Sequence, residues 1–372
     1  MKKNKTTIRA LLLLAAVIIL SSWGSTGHNM ISFRINLSFN QEMSRFNDWV
    51  FYLSEHASDA DKRKRDDPAE GPKHYIDIDN YDSFTENGTI PHALEECISQ
   101  YGAAFVEENG YLPWATLAMY DSVVNCMRRE DWTNAKKYAA DMGHYVADGH
   151  MPMHLTRNYD GQFTGNKGIH ARYEIDMIAR YHDQIVYEGT PAATIDDPLA
   201  YIFGYIYQNF PYMDSILVAD DYATEMGNGN TSEQYYMALW ERTEHLTRKL
   251  FSNASHAIAE LLYAAWIEAG RPGDEVAAIS PTLPATTLSG LRISPNPVST
   301  RATISYYNHM GGILSATIFD ASGRTAMLLE GLSTAPGQHA SEWNPGHLAG
   351  GFYYLVLQSG NRRICEPFTL LD

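Results

Sequence analysis

Hydrophobic patterning divides the chain into a helical part and a shorter β part. Between residue 23 and about residue 270, apolar residues recur at three- and four-residue spacing, most clearly in Trp114–Met127, Trp132–Ala147 and Glu233–Ala269. This period is typical of amphipathic helices. We therefore predict a mainly α-helical domain over residues 23–270, which is long enough to have a hydrophobic core of its own.

The pattern changes after Gly270. Residues 271–290 are rich in Pro, Thr, Ser and Ala, and this composition predicts a linker. From Leu291 onward, short apolar or alternating segments predict strands separated by glycine-containing turns. The clearest strand segments are Ala302–Tyr307, Leu314–Phe319 and Phe352–Gln358. The sequence therefore predicts a small β-sandwich over residues 291–372.

The first 22 residues are typical of an export signal. Four cations, Lys2, Lys3, Lys5 and Arg9, precede an apolar run from Ala10 to Leu20, and two serines follow it. The run is too short for an ordinary transmembrane helix. We therefore expect residues 1–22 to be removed and the mature protein to be exported.

Charge and cysteine content argue against three classes of protein. The 372-residue chain has a net charge of −16, which argues against a duplex-DNA binder that works by neutralising phosphates broadly. An acidic protein can still act on phosphodiesters if bound cations supply the positive field. Three cysteines are too few for a disulfide scaffold or a Cys-rich zinc fold. Cys97 and Cys126 either pair in an oxidising compartment or remain buried thiols.

The stretch from Gly143 to Glu174 concentrates metal-binding residue types. His144 and Asp148 are four residues apart, as are His170 and Glu174, so each pair shares one face of a helix. His154 follows a proline between the pairs. One such pair is more often a surface ion pair, but two pairs and a further histidine indicate a metal site. Nitrogen and oxygen ligands without cysteine suit a catalytic zinc site.

Further candidate ligands lie upstream. His74 follows a polar loop, and Asp59 and Asp61 end a predicted helix, where either could instead cap the helix. Cleavage after Ser22 would make Trp23 the N-terminus, five residues before His28. A free α-amine has a pKa near ~8, so the nitrogen of Trp23 can bind zinc, and its carbonyl can close a chelate. His150 is interpreted as a solvent-facing or supporting histidine.

These motifs, in this order, resemble the zinc-dependent phospholipase C and single-strand-specific nuclease superfamily. The resemblance covers roughly residues 23–270 and implies a cluster of three Zn²⁺ ions. It assigns Asp61, His74, His144 and Asp148 to the first zinc, and Asp148, Trp23 and His28 to the second. It assigns His154, His170 and Glu174 to the third. Asp59 remains a rival of Asp61 as the ligand.

The resemblance also implies an activity. It predicts hydrolysis of a phosphodiester by in-line attack of a zinc-bound hydroxide, with Asp61 orienting the attacking water or accepting its proton. The final acid Glu174 and the short loop between His154 and His170 favour the phospholipase C-like branch, which has a phospholipid substrate. The alternatives are a nuclease or nucleotidase that acts on single-stranded nucleic acid, and a non-catalytic zinc-binding surface protein.

The predicted β-sandwich resembles the C-terminal sorting domain of the type IX secretion system. The similar segments are Ser294–Pro297, Ile318–Arg324 and Leu348–Tyr354. This resemblance implies recognition by the secretion machinery, export through the periplasm and the outer membrane, and removal of the tail. The alternative is an ordinary β module that binds carbohydrate or protein.

Overall fold

The computed structural model describes residues 23–187, 189–273, 288–308, 311, 314–320, 325–359 and 362–371. The predicted export signal, residues 274–287 of the predicted linker and residues 321–324 of the sorting-domain resemblance lie outside the described residues.

Helices fill the chain from Gly24 to Glu268. The α-helices are α1 (Gly24–Phe33), α2 (Val50–Glu55), α3 (Asp59–Arg63), α4 (Asp82–Asn87), α5 (Leu94–Tyr101), α6 (Ala103–Glu108), α7 (Leu112–Arg128), α8 (Trp132–Asp148), α9 (Ile169–Ala171), α10 (Ile178–Tyr181), α11 (Pro198–Asn209), α12 (Tyr212–Gly227) and α13 (Glu233–Glu268). Short 3₁₀ helices lie between them at Ile35–Ser38, Gln41–Trp49, Gly71–His74, Ile78–Asn80, Pro152–His154 and His182–Gln184. A π-helical segment, Arg172–Met177, joins α9 to α10.

Local sequence signals explain where the long helices begin. The side chain of Asp131 accepts a hydrogen bond from the backbone of Asn134 at the start of α8, and Ser232 does the same for Tyr235 at the start of α13. Proline occupies the first turn of α7 and of α11, where its missing N–H costs nothing. The three long predicted helices therefore form close to their predicted positions.

The helical core is centred on α13, whose 36 residues extend about 54 Å at ~1.5 Å per residue. Its second half is buried almost continuously, and it packs against α7, α8 and α12. Phe251 on this helix contacts the edge of Trp23 with ring centroids 4.7 Å apart, which secures the beginning of α1. Within the described ranges, no helix has the length and apolar character needed to cross a bilayer.

The C-terminal strands form two antiparallel sheets. The strands are β1 (Leu288–Ser294), β2 (Ala302–Asn308), β3 (Ser315–Asp320), β4 (Thr325–Leu329), β5 (Gly337–Trp343), β6 (Gly351–Ser359) and β7 (Arg362–Leu370). One sheet has the order β1-β2-β5 and the other β4-β3-β6-β7. Ile304, Ile318 and Leu355 from the two sheets share one buried core. The predicted fold class, a mainly α-helical part followed by a small β-sandwich, is confirmed.

The outer face of the four-stranded sheet packs against the helices. Tyr354 of β6 meets Phe33 of α1 with ring centroids 4.6 Å apart, and Phe319 of β3 meets Phe51 of α2 at 5.2 Å. Phe352 and Tyr354 consequently belong to the core of the helical part.

The structure also distinguishes the two alternatives for the cysteines, because Cys97 and Cys126 are both buried free thiols.

A partly buried ion pair on α13 makes the stability of the fold depend on pH. His256 Nε2 lies 3.1 Å from Glu260 Oε1. The hydrogen bond to Glu260 raises the pKa of His256, and although burial opposes it, hydrogen bonds from His256 and Tyr201 lower the pKa of Glu260. The His256 contribution is therefore complete below its ordinary pKa of 6.5 and is lost as pH rises through the folded value.

We expect His256→Ala to cost more stability at pH 5.5 than at pH 8.5, by about 0.5–1 kcal/mol. The Glu260 contribution is retained at both pH values, because its lowered pKa places its loss below the ordinary value of 4.5. Urea unfolding of the two proteins at both pH values measures the difference. Arg248→Ala, which breaks the neighbouring Arg248–Glu244 pair on the same helix, is the control and should show no such pH dependence. A pH-independent cost of His256→Ala would contradict the prediction.

Candidate metal centre

Three groups of buried histidine and carboxylate side chains converge between α1, α3, α8 and the segment from Pro152 to Met177. Within each group the possible ligand atoms lie within 4.8 Å of one another. The first group is Asp61, His74 and His144, the second is His28, His144 and Asp148, and the third is His154, His170 and Glu174. Each group could hold a metal ion, and together they contain every predicted side-chain ligand.

The first group draws its members from three separate elements. His144 Nε2 on α8 lies 2.9 Å from Nδ1 of His74, the last residue of the 3₁₀ helix Gly71–His74. Asp61 Oδ1 on α3 is 3.6 Å from each of these nitrogens. Tetrahedral zinc with ligands at ~2.0–2.1 Å requires ligand atoms about 3.3–3.4 Å apart. The observed distances bracket that value, so the group has the dimensions of a zinc site.

Asp148 connects the first group to the second. Its Oδ2 lies 2.9 Å from His74 Nδ1 and 3.3 Å from His144 Nε2. Its Oδ1 lies 3.4 Å from His28 Nε2. The spacing of four residues on α8 places Asp148 beside His144, and the rings of His28 and His144 stack with centroids 4.0 Å apart. One buried carboxylate therefore faces both groups, as a bridging ligand would.

Trp23 is fixed next to the second group by its side chain. Its indole is fully buried, and Nε1–H donates a 2.8 Å hydrogen bond to the carbonyl of Ala147, the residue before Asp148. Its backbone is left-handed, with φ at 40°, and α1 with His28 begins at the next residue. Its carbonyl also accepts a hydrogen bond from Gly27. Trp23 therefore anchors the start of α1 against the end of α8.

The third group lies across the 3₁₀ turn Pro152–His154 and α9 with its π-helical continuation. Glu174 Oε2 is 2.6 Å from His170 Nε2 and 3.6 Å from His154 Nε2. His170 and Glu174 lie on one face of the helical segment, as their spacing predicts. A π-helical turn inside a helix is frequent at functional sites, and here it contains Glu174.

Backbone carbonyls orient most of the imidazoles. The Nδ1 atoms of His144, His154 and His170 lie 2.6, 2.7 and 3.0 Å from the carbonyls of Ala57, His74 and Tyr159, respectively. Since a carbonyl only accepts, each Nδ1 carries the proton and each Nε2 turns its lone pair inward. These supporting carbonyls have no sequence signature, because any residue type supplies one.

His74 has the opposite orientation. Its Nδ1 faces the first group, while its Nε2 lies 3.6 Å from the buried carboxylate of Glu70. Glu70 also accepts hydrogen bonds from Lys73 and Tyr145. Although burial opposes it, the interactions with His74, Lys73 and Tyr145 lower the pKa of Glu70, so Glu70 is a charged partner for His74. Glu70 was missed by sequence reasoning, although its spacing of four residues from His74 was a usable signal.

Segment 72–77 is held in place by close backbone contacts. Ile76 N–H donates to the carbonyl of His154, and Leu112 N–H donates to that of Tyr75. Gly110, with φ at 90°, permits this approach, because a Cβ there would lie 2.1 Å from the Tyr75 oxygen. Gly110 therefore has a structural role next to His74.

The carboxylates of the three groups are buried without adequate hydrogen bonding. Among the residues the structure describes, the buried atoms without a hydrogen bond of normal geometry include Asp61 Oδ1 and Oδ2, Asp148 Oδ1, Glu174 Oε1 and Oε2, His154 Nε2 and His170 Nε2. Lys64 Nζ lies 2.6 Å from Asp61 Oδ1 as an ion-pair partner. Burying ionised carboxylates without compensating charge is costly. Bound cations would remove that cost, so the donor set fits a metal centre.

The surrounding charges keep the carboxylates of this site ionised. Although burial opposes it, neighbouring His144 holds the pKa of Asp148 well below its usual value, and neighbouring His170 and His154 lower that of Glu174. Burial lowers the pKa of His144, but the charges of Asp148 and Asp61 outweigh this effect and raise the pKa to about 9. The centre is therefore anionic enough to attract cations, including protons when no metal is bound.

Other candidate residues have different surroundings. Asp59 is about one-third exposed and pairs with His56 and Lys62, so it points away from the first group, which contains Asp61. His150 is buried, which corrects the solvent-facing interpretation. It stacks on Tyr205 with centroids 4.5 Å apart and bonds to the Val146 carbonyl, and burial lowers its pKa to about 4. A neutral packing histidine was indistinguishable by sequence from a ligand.

An open cleft of about 860 Å³ lies over the first and third groups. Its lining includes His74, His154 and His170, and the cations Lys64 and Arg65 lie at the same cleft. Asp77 also lines it. Burial raises the pKa of Asp77 to about 7, and the nearby charge of Asp79 contributes to this shift. Because His74, His154 and His170 line this open cleft, a substrate could reach these candidate metal ligands from solvent.

Comparison with known proteins finds no matching family model and no matching curated protein. Among solved structures, the chain is similar to the alpha toxin from Clostridium absonum, with 11% identity, a TM-score of 0.44 and coverage of 94% of this chain and 98% of that chain. It is also similar to the alpha-toxin of Clostridium perfringens from avian strain SWCP, with 10% identity, a TM-score of 0.42 and coverage of 93% and 97%. The chemistry of this site therefore depends on the side chains described above.

Proposed function

We propose that this protein is a zinc-dependent phosphoric diester hydrolase that cleaves phospholipids in the manner of a phospholipase C. The observation that carries the proposal is that three His/carboxylate groups lie together and that the first and third of them contribute histidines to the lining of an open cleft. Three Zn²⁺ ions are the proposed cofactors, held by Asp61, His74, His144, Asp148, His28, His154, His170, Glu174 and the mature N-terminus at Trp23. When bound, zinc supplies acidified water and offsets negative charge on the phosphoryl oxygens.

The protein's own groups have distinct proposed roles. Asp61 is buried and ionised, because the charges of His144 and Lys64 outweigh the effect of burial on its pKa. One carboxylate oxygen can bind metal while the other orients the attacking water or accepts its proton. Lys64 and Arg65 place positive charge at the cleft, which suits an anionic phosphodiester on a protein with a net charge of −16.

The cleft lining supports a lipid substrate. Pro68, Pro72 and Met153 contribute apolar surface next to the candidate ligands, as expected for a site that accommodates the start of an acyl chain or a glycerol backbone. Glu174 and the short loop before His170 follow the phospholipase-like pattern of the family resemblance. We therefore rank phospholipid above nucleic acid.

One observation favours the nuclease alternative. Tyr159 lines the cleft, is 41% exposed and presents its ring to His170 at a centroid distance of 6.4 Å. An exposed aromatic ring beside the reacting phosphate can stack on a base of single-stranded nucleic acid. A non-catalytic zinc-binding role is less well supported. It would need the ligands to be closed off from water and substrate, whereas the cleft over them is open.

The substrate test compares the zinc-loaded full chain on phosphatidylcholine vesicles and on single-stranded DNA. We expect release of a phosphorylated headgroup from the vesicles. Activity on DNA alone would establish the nuclease alternative and overturn the phospholipase proposal. Activity on neither substrate, in protein that retains its zinc, would favour the non-catalytic role.

Asp61→Asn should reduce activity more than roughly 100-fold and weaken zinc binding, whereas Asp59→Asn should leave both unchanged. The loss of a supporting group alone costs roughly 10–100-fold in metal affinity or activity, and Asp61 is proposed to be a ligand itself. Asp59 is the matched control, two residues away, and its partners are His56 and Lys62. Zinc analysis of dialysed protein and initial-rate assays measure both effects. The reverse pattern would assign the ligand role to Asp59.

We also propose that the chain is exported, with cleavage after Ser22 and with the β-sandwich recognised by the type IX secretion machinery. This proposal depends on the sequence patterns of the two ends of the chain. N-terminal sequencing of secreted protein tests it directly. A first residue other than Trp23 would contradict the amine ligand while leaving the side-chain ligands in place.

A further inference from the structure

The third group needs support from outside its own segment. Residues 155–168, which connect His154 to α9, consist mainly of turns, and Gly161, Gly165 and Gly168 in this loop have positive φ. Such a loop does not by itself fix the distance between His154 and the His170–Glu174 pair. The helical segment that contains His170 and Glu174 must therefore be held by contacts on its other face.

Arg172 lies on that other face. At ~100° per residue it is turned about 200° from His170 around the helix axis, so it points away from the ligands. Its guanidinium donates hydrogen bonds to the backbone carbonyls of Asn166 and Lys167, at 3.1 and 2.8 Å. Gly168 allows this close approach, because a Cβ there would lie 2.7 Å from Arg172 Nη1. Arg172 therefore ties the end of the loop to the ligand-bearing helix.

The same guanidinium is anchored to the α12–α13 helical pair. Arg172 Nη2 lies 2.9 and 3.0 Å from the two carboxylate oxygens of Asp220 on α12, and Nε donates to Tyr235 Oη on α13 at 2.9 Å. Tyr235 in turn donates to Asp220. Asn166 Nδ2 donates to Asp220 Oδ2 at 2.9 Å. Arg172, Asp220, Tyr235 and Asn166 are all buried.

We propose that the buried Arg172–Asp220 pair, with Tyr235 and Asn166, is a positioning device that sets the metal affinity of the third group. A buried ion pair contributes little net stability compared with a well-packed apolar pair, and its best-supported role is to fix one arrangement. Here the arrangement it fixes is the placement of His170 and Glu174 opposite His154. This inference rests on the proposed metal centre, and Arg172 acts only through the two ligands.

The test uses the full chain with Tyr235→Phe and Asp220→Asn, and Tyr201→Phe as the matched control. Tyr201 also donates from a partly buried hydroxyl to a carboxylate, Glu260 Oε2 at 2.6 Å, but outside the Arg172 network. Zinc per chain is measured after dialysis against graded zinc-buffered solutions. Melting temperature is measured in zinc-loaded and zinc-free protein. Both test variants should weaken binding of one of the three zinc ions roughly 10- to 100-fold, while the other two remain bound.

A merely structural role would give a different result. It would lower the melting temperature of loaded and zinc-free protein equally and leave all three zinc affinities unchanged, and this outcome would overturn the inference. Tyr235→Phe keeps the ring and removes one hydroxyl, so it tests the idea even if Asp220→Asn fails to fold. The two possible failures are distinguishable. Wild-type protein that binds no zinc would contradict the metal centre itself, whereas variants that bind three zinc ions as tightly as the wild type would contradict only the positioning role.

Discussion

Asp148→Asn should cost the protein two of the three proposed zinc ions and reduce the proposed phosphodiesterase activity more than roughly 100-fold. Asp148 is fully buried and faces both the first and the second group, through contacts of 2.9 Å to His74 and 3.4 Å to His28. The amide keeps the shape of the side chain but removes the negative charge that two cations would share. Since loss of a supporting residue already costs roughly 10–100-fold, loss of a shared ligand should exceed that range.

Glu174→Gln is the matched control for Asp148→Asn. It makes the same chemical change in a buried carboxylate that belongs only to the third group. We therefore expect it to release one zinc and retain two. Zinc content of dialysed protein, measured together with initial rates, distinguishes the variants. Equal zinc loss in both variants, or three zinc ions in Asp148→Asn, would contradict the bridging role of Asp148.

Periodicity and residue spacing were sufficient to predict the architecture. The long helices and three of the strands have strong local patterns, and they form where those patterns place them. The pairs His144/Asp148 and His170/Glu174 could likewise be predicted, because a spacing of four residues on a helix determines which face each side chain occupies.

The contacts between distant segments could not be predicted in this way. His74 reaches His144 across 70 residues, and its approach depends on Gly110 and on the carbonyl of His154. Asp61 joins the first group and Asp59 does not, because α3 presents the two carboxylates in different directions, which periodicity near a helix end does not specify. His150 is a ligand type in a ligand-rich stretch, but Tyr205 from α11 covers it.

Supporting groups were the least predictable part of the site. Backbone carbonyls orient the imidazoles of His144, His154 and His170, and every residue type has such a carbonyl. Arg172 and Asp220 are 48 residues apart and resemble ordinary surface charges in the sequence, yet both are buried. The candidate ligand types are therefore recognisable in the local sequence, whereas their placement depends on packing between helices.

Removing metal with EDTA should lower the melting temperature of the helical part by roughly 15–30 °C. A ligand present at 100 times its Kd stabilises the folded state by about 2.7 kcal/mol, so the three proposed zinc ions contribute about 8 kcal/mol when their effects are added. For a domain of this size, each kcal/mol shifts the melting temperature by roughly 2–4 °C. The physical cause is that three buried carboxylates, Asp61, Asp148 and Glu174, lose their bound cations, although Asp61 keeps its ion pair with Lys64.

Calorimetry or circular dichroism with and without EDTA measures this change, and adding excess Zn²⁺ should restore the original melting temperature. Mg²⁺ should not restore it, because Mg²⁺ requires an octahedral shell of oxygen ligands, whereas imidazole nitrogens dominate these groups. His256→Ala, which alters an ion pair of α13 outside the three groups, should show the same EDTA-induced shift as the wild type. A melting temperature indifferent to EDTA would mean that the three groups hold no structural metal, and the convergence of these side chains would then need another explanation.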